Sequence, residues 1–193
     1  MMPKPRLKSA TMIGGASPNH KRAESDFYPT PPECTVGLMR AFRNTLAGKV
    51  WEPACGDGAI SEVLIEMGRD VYSTDLRTDS GYGAGGIDAL THKPLTRVDC
   101  IITNPPFSLA VDFIKRLRPM GVPFALLLKS TFWHAKTRSG LFYETRPTAV
   151  CPMLWRPNFA PDRGKSPTMD VCWVVWDAQP TDCCVYMPIK KPK

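Results

Sequence analysis

A chain of 193 residues that is 43% hydrophobic has material for one substantial core and little more than one domain. Its formal net charge of +7 and pI near 9.1 suit a polyanionic partner, although charge of this kind also serves solubility or a membrane surface. A signal peptide and any apolar run of about 18 residues are absent, which excludes a helical membrane span and points to the reducing cytoplasm of a bacterial cell or phage-infected host.

Residues 1–25 are polar and rich in Pro, Gly and Ser, with Lys4, Arg6, Lys8, Lys21 and Arg22 ahead of the first acid, Glu24. They read as a flexible basic arm able to lie along a phosphate backbone, or as an ordinary solvated terminus. "YPTPPECTVGLMRAF" predicts an extended lead-in and a helix with Val36, Met39 and Phe42 at helical spacing, and Leu46 one turn on. "KVWEPACGDGAISEVLIEMG" gives a strand, a glycine-containing turn and a second helix, and "DVYSTDL" the next short strand. Residues 77–96 are glycine-rich and irregular, with one brief strand expected near Ile87.

"RVDCIITNPPF" predicts an apolar strand over 98–103, then a helix over 108–118 with Ala110, Phe113, Ile114 and Leu117 on one face. Pro119 and Gly121 end that helix. "VPFALLLK" is the most hydrophobic run and reads as a central strand covered on both sides. Such alternation implies an α/β fold with a mostly parallel sheet in three layers. "TAVCPMLW" and "MDVCWVVW", separated by the polar "RPNFAPDRGKSPT", predict an antiparallel hairpin at the sheet edge, with "CCVYMPI" a final strand. Lys190, Lys191 and Lys193 make a short basic tail over 189–193.

The cysteines (Cys34, Cys55, Cys100, Cys151, Cys172, Cys183 and Cys184) show no C-x-x-C spacing, and His20, His92 and His134 are scattered, so no metal site is expected. Cys100 and Cys172 sit in apolar runs and read as small buried hydrophobes, while Cys183 and Cys184 would face opposite ways on a strand.

The turn in "VWEPACGDGAIS" has Gly56 and Gly58 ahead of a helix start, where backbone N–H groups favour a carboxylate or phosphate. G-x-G-x-x-G is absent, so the turn alone leaves a cofactor loop and a plain strand-to-helix connection both open. Asp75 ends the second strand, where a carboxylate can accept hydrogen bonds from ribose hydroxyls. Asp88, ending the expected third strand, can meet an adenine amino group, and either acid can instead cap a loop.

Together these segments resemble the S-adenosylmethionine-dependent DNA amino-methyltransferases, which methylate adenine N6 or cytosine N4. "EPACGDG" is similar to that family's motif I, "NPPF" to its motif IV, and "DFYPTPPE" to the motif X that precedes motif I in the gamma-type order. Small phage-encoded and prophage-encoded adenine methyltransferases share that order. The resemblance runs from about Asp26 to Trp176, is strongest up to Phe107, and implies a methyltransferase domain of Rossmann-like fold over 26–188 with no large separate target-recognition domain. It implies that Phe27, Tyr28 and Thr30 border the methionine end of the cofactor, and that Glu52, Ala54, Gly56 and Gly58 form its floor. Asp75 would bind ribose and Asp88 the adenine edge; Ala54 stands where many relatives have glycine.

Asn-Pro-Pro-Phe suits amine methylation for a chemical reason. The lone pair of an exocyclic adenine amine is delocalised into the ring. Accepting hydrogen bonds from its protons shifts the nitrogen toward a more nucleophilic form. Asn104 offers a side-chain oxygen and Pro105 a carbonyl, while Pro105 and Pro106 stiffen the backbone and Phe107 can stack on the base. In-line transfer to nitrogen needs neither a covalent enzyme intermediate nor a metal. A base inside a duplex must first be flipped out. The resemblance implies an aromatic near the later hairpin that holds the base's other face: Phe159 first, Trp155 second. Lys129, Arg156, Arg163 and Lys165 are candidate contacts to base or phosphate.

The expected function is N6-adenine methylation of double-stranded DNA. The same acceptors would serve an N4-cytosine enzyme, and a noncatalytic nucleic-acid-binding protein on the same fold is the alternative from another class. RNA and protein-glutamine methyltransferases use related tetrapeptides. Recognition would fall to the 134–146 region, the 156–170 loop, the tails, or the second subunit of a homodimer.

Overall fold

The computed structural model describes residues 28–160 and 169–193. The expected arm over 1–25, together with Phe27, Arg163 and Lys165, lies outside the described residues. The chain begins with helix α1 (Pro32–Phe42), strand β1 (Val50–Glu52), helix α2 (Ala59–Glu66) and strand β2 (Val71–Ser73). Strand β3 (Cys100–Thr103), helix α3 (Ala110–Leu117) and strand β4 (Phe124–Lys129) follow, then helix α4 (Ser139–Glu144) and strands β5 (Ala149–Pro152), β6 (Val171–Trp176) and β7 (Val185–Tyr186).

The strands join in one sheet of order β2-β1-β3-β4-β6-β5-β7. The first four run parallel; β6 is antiparallel to both β4 and β5, and β7 lies parallel to β5. "VPFALLLK" is thus the central strand, and the two C-terminal strands do form an antiparallel pair. The pair is not simply appended at the edge in chain order: β6 inserts between β4 and β5, and β7 beyond β5 is the edge strand.

Period-two alternation sorts the strand side chains onto two buried faces. Cys100, Ile102, Ala125, Leu127, Trp173 and Val175 pack under α1 and α2, against Leu38, Met39, Phe42, Ile60 and Leu64. Ile101, Phe124, Leu126, Leu128, Val174 and Trp176 face the other way, onto Ala110, Phe113, Ile114 and Leu117 of α3. Those four α3 residues are the predicted stripe, and burying each large one contributes about 1.5–3 kcal/mol. Phe124 and Trp176 stack at 4.7 Å across the β4–β6 pair. This is a three-layer Rossmann-like α/β fold, mostly parallel, with helices on both faces.

Three local expectations are corrected. In α1 the inward face is Cys34, Thr35, Leu38, Met39 and Phe42, with Val36 only half-buried. No strand forms at Ile87; a single parallel bridge, Thr74 to Ala84, stands in its place. Gly83 is the reason for the close approach there: at φ +64° a Cβ would lie 2.6 Å from the Ser73 carbonyl oxygen. Cys183 and Cys184 precede β7 and are both exposed, whereas Cys100 and Cys172 are buried as read from their apolar runs.

The C-terminal tail is also more tied down than its charge suggests. Ile189 is 4% exposed in the α1-side core and exchanges backbone hydrogen bonds with Pro152 and Leu154. Lys191 pairs with Glu33 at 3.5 Å. No helix among the described residues is long and apolar enough to cross a membrane.

Candidate active site

The chain passes from β1 outward to β2 and then returns to β3 on the other side of β1. Ligands in open α/β sheets bind at such a reversal, outside the carboxyl ends of the strands. A cleft of about 810 Å³, counted to its open mouth, lies there. It is built from the residues that follow three neighbouring strands: Glu52 to Cys55 after β1, Asp75 to Arg77 after β2, and Asn104 with Pro106 after β3.

Asn104 is the best-defined side chain in it. Its amide nitrogen donates to the Tyr28 carbonyl and to Thr30 Oγ1, both at 3.1 Å. A backbone carbonyl can only accept, so the amide cannot be turned over without losing that bond. The Asn104 oxygen therefore remains as an acceptor at the cleft wall. Residues more than 70 positions apart, in segments predicted separately, meet in this contact. Pro105 is buried, and Pro106 lines the cleft next to Asn104.

Phe107 is half-buried beside the cleft rather than in its lining. Tyr28 stacks on it at 6.2 Å, and the Lys129 ammonium lies 4.5 Å from its ring centre. Phe159 meets Tyr28 edge-on at 6.5 Å, so the expected second aromatic shares a cluster with Phe107 through Tyr28. Trp155 packs toward Gly37 of α1, its indole N–H buried with no partner among the described residues. Arg156 is bound to Asp170 at 2.8 Å.

The acids take distinct positions. Asp75 is buried and holds the turn together: Oδ2 accepts from the Gly56 N–H at 2.7 Å, and Oδ1 accepts from the Arg77 N–H and Nε at 2.8 and 3.2 Å. Asp88 ends no strand; it sits in a turn, its Oδ1 accepting from the Leu90 N–H at 2.9 Å, and it still reaches the cleft. Glu52 is 1% exposed and accepts a hydrogen bond from Ser61, and burial raises its pKa well above the usual carboxyl value despite that bond. Gly56 and Gly58 do not line the cleft. They shape the turn behind it, where a Cβ on Gly58 would lie 2.4 Å from the Tyr82 ring.

Sequence reasoning missed several wall residues. Leu76, Leu90, Leu109 and Phe113 give the cleft apolar surfaces, and Tyr82 backs the glycine turn. Leu76 and Arg77 directly follow Asp75 at a strand end, so their position alone marked them. Tyr82, inside a glycine-rich stretch without regular structure, carried no such signal.

Electrostatically the cleft is acidic. Glu52, Asp57, Asp75 and Asp88 line it, and the single cation among the described lining residues, Arg77, is engaged with Asp75. Apolar walls interrupted by acidic side chains suit a ligand that carries apolar surface together with hydrogen-bond donors or positive charge.

No protein-family model matches this sequence, and no curated protein matches it. Solved structures share its fold. One is a modification subunit provisionally assigned to a type I restriction enzyme from Vibrio vulnificus, with TM-score 0.61 and 15% identity over 86% of this chain and 48% of that one. A second is a provisionally assigned RNA methyltransferase from Pyrococcus horikoshii, with TM-score 0.61 and 14% identity over 78% of this chain and 86% of that one. A third, a dimethyladenosine transferase from Plasmodium falciparum, has TM-score 0.56 and 15% identity over 78% of this chain and 63% of that one. The chain spans about half the length of the Vibrio subunit. At these identities the likeness is one of fold.

Proposed function

We propose that this chain transfers a methyl group from S-adenosylmethionine to the N6 amine of an adenine flipped out of double-stranded DNA. The observation that carries the reading is the Asn104 amide, tied by its nitrogen to Tyr28 and Thr30 so that its oxygen is left to accept from an amine at the cleft wall.

S-adenosylmethionine, when bound, supplies a methyl group on a positively charged sulfur. The acidic lining favours a cation of that kind, with Glu52 able to meet positive charge, Asp75 and Asp88 to accept hydrogen bonds, and Leu76 and Leu90 to border a flat ring. Asn104 and the Pro105 carbonyl accept from the two amine protons and hold the nitrogen in line. Because the acceptors are fixed before the substrate arrives, little reorganisation is needed during transfer. Phe107 and Phe159, linked through Tyr28, offer apolar faces for the base. The choice of DNA adenine rests on the resemblance in segment order. Among the fold relatives, a restriction-enzyme modification subunit and a dimethyladenosine transferase are compatible with it.

The test is transfer of labelled methyl from S-adenosylmethionine to unmethylated duplex DNA, followed by nucleoside analysis. Label in N6-methyladenine is expected. Asn104→Ala should lower the transfer rate by about 100-fold or more while leaving cofactor binding within a few-fold of wild type. Label in N4-methylcytosine would overturn the base, label in RNA alone would overturn the substrate, and an undiminished rate in Asn104→Ala would overturn the mechanism.

A further inference from the structure

Beyond Lys129 the chain runs through two short 3-10 turns, Ser130–Trp133 and Lys136–Arg138, into α4. Its inner side is a rigid aromatic mount. Phe132 and Leu141 are buried in the α3-side core, and Phe132, Trp133 and Phe142 contact one another at 5.1–5.6 Å. The Arg138 guanidinium lies 4.6 Å over the Phe132 ring. At the far end, the Thr145 carbonyl accepts from the Trp176 indole at 2.7 Å. The segment is thus anchored to the core at several points along its length.

That outer side is basic and aromatic. From Phe113 to Tyr143 the sequence contains no Asp or Glu. Lys129, Lys136 and Arg138 join no ion pair among the described residues, unlike Arg77 and Arg156. Lys136 is exposed, and Tyr143 is 78% exposed with its ring away from the core. Cations without acids suit phosphates, and an uncovered aromatic ring suits a base, so the pairing fits a nucleic-acid strand better than an acidic peptide. Lys129 ties the strip to the chemistry, since its ammonium sits against Phe107.

We propose that residues 129–143 are the platform on which DNA lies beside the reacting base. Lys129 and Lys136 meet phosphates, and Tyr143 stacks on an unpaired base next to the target. The assignment of that base as the methyl acceptor rests on the reading of the site above; the platform itself is tested by binding alone.

The experiment measures dissociation constants of the full-length chain for a labelled duplex across a salt series, in wild type, Lys136→Ala, Lys136→Arg and Tyr143→Ala. Lys136→Ala should weaken binding on unrelated sequences alike and lower the slope of log K against log salt by about one, with Lys136→Arg restoring both. Tyr143→Ala should weaken binding to a duplex with a one-nucleotide gap about tenfold and leave the slope unchanged. Cofactor binding, measured on every variant, should stay at the wild-type value because neither residue lines the cleft. Unchanged affinity and slope in both alanine variants would overturn the platform, as would a wild-type chain that binds no DNA. The same losses on RNA, with RNA bound more tightly than DNA, would overturn the choice of DNA. Loss of binding without any methyl transfer in wild type would instead sink the site reading and leave the platform standing.

Discussion

Glu52 closes β1 with its carboxyl almost wholly out of water, and the cost of burying a charge raises its pKa well above the usual value. The folded chain thus keeps a proton that the unfolded chain releases near the ordinary carboxyl pKa. The sign follows from linkage: the native state binds more protons, so this group's contribution to stability is complete below the ordinary carboxyl range and declines as pH rises toward the raised folded value. Glu52→Gln, which keeps the shape and the acceptor for Ser61, should flatten the fall in Tm as pH rises above the ordinary carboxyl range. An unchanged pH profile would show that Glu52 is ionised in the free protein. The same proton makes a second prediction. A cationic ligand at Glu52 favours the ionised form, so binding of S-adenosylmethionine should release a proton to the buffer. Titration calorimetry in buffers of different ionisation enthalpy should show that release in wild type and none in Glu52→Gln. The place of Asp75 and Asn104 in the cleft wall was readable because each stands at the end of a predicted strand. Their pairwise contacts were not: nothing local in "DFYPTPPE" says that Tyr28 and Thr30 will hold the amide of Asn104.

At the level of elements, the glycine turn between β1 and α2 shows how backbone conformation fixes the site. Gly58 has φ +90°, and a side chain there would meet the Tyr82 ring as well as the left-handed penalty of about 1–2 kcal/mol. Gly58→Ala should lower Tm by about 2–8 °C for a chain of this size and weaken ligand binding, since the turn that carries the Gly56–Asp75 bond must shift. A variant of wild-type stability and affinity would show that Tyr82 swings aside at no cost. The elements easiest to read were those buried on both faces or on one strict stripe. β4 is a continuous apolar run, and α3 buries the four residues its spacing named. The stretch around Ile87 failed because apolar pattern counts only where the backbone can extend, and Gly81, Gly83 and Gly86 all take positive φ. In and just after α1 the spacing placed Met39, Phe42 and Leu46 inside correctly but put Val36 where Cys34 and Thr35 are buried, because small residues bury as readily as larger ones when a close neighbour covers them: Trp173 donates its indole N–H to the Cys34 carbonyl at 2.9 Å.

Across the whole molecule, a parallel half carrying the cleft is joined to an antiparallel half carrying Trp155 and Phe159, and α1 spans both. Sequence pattern gives strands but not their lateral order, so the insertion of β6 between β4 and β5 had no local signal. The last residues of the chain complete the join. Ile189 fits against Gly37, where a Cβ would lie 2.7 Å from its Cγ2 and 3.5 Å from the Trp155 ring. Gly37 is therefore the point at which α1, the segment after β5 and the C-terminal strand touch. α1 in turn follows directly on Thr30, which holds Asn104. Ile189→Ala should cost about 2–5 kcal/mol of stability as a buried large-to-small change. Its informative effect is on the site. If the C-terminal strand positions α1, Ile189→Ala and Gly37→Ala should each reduce kcat, through loss of the fixed Asn104 amide, at temperatures where both variants remain folded by circular dichroism. Lys191→Ala, which removes only an exposed pair with Glu33, should leave kcat unchanged. Should both core variants keep wild-type kcat while losing stability, the C-terminal strand would be a fastening of the core alone, and the amide of Asn104 would be held by the Tyr28–Thr30 segment without help from behind.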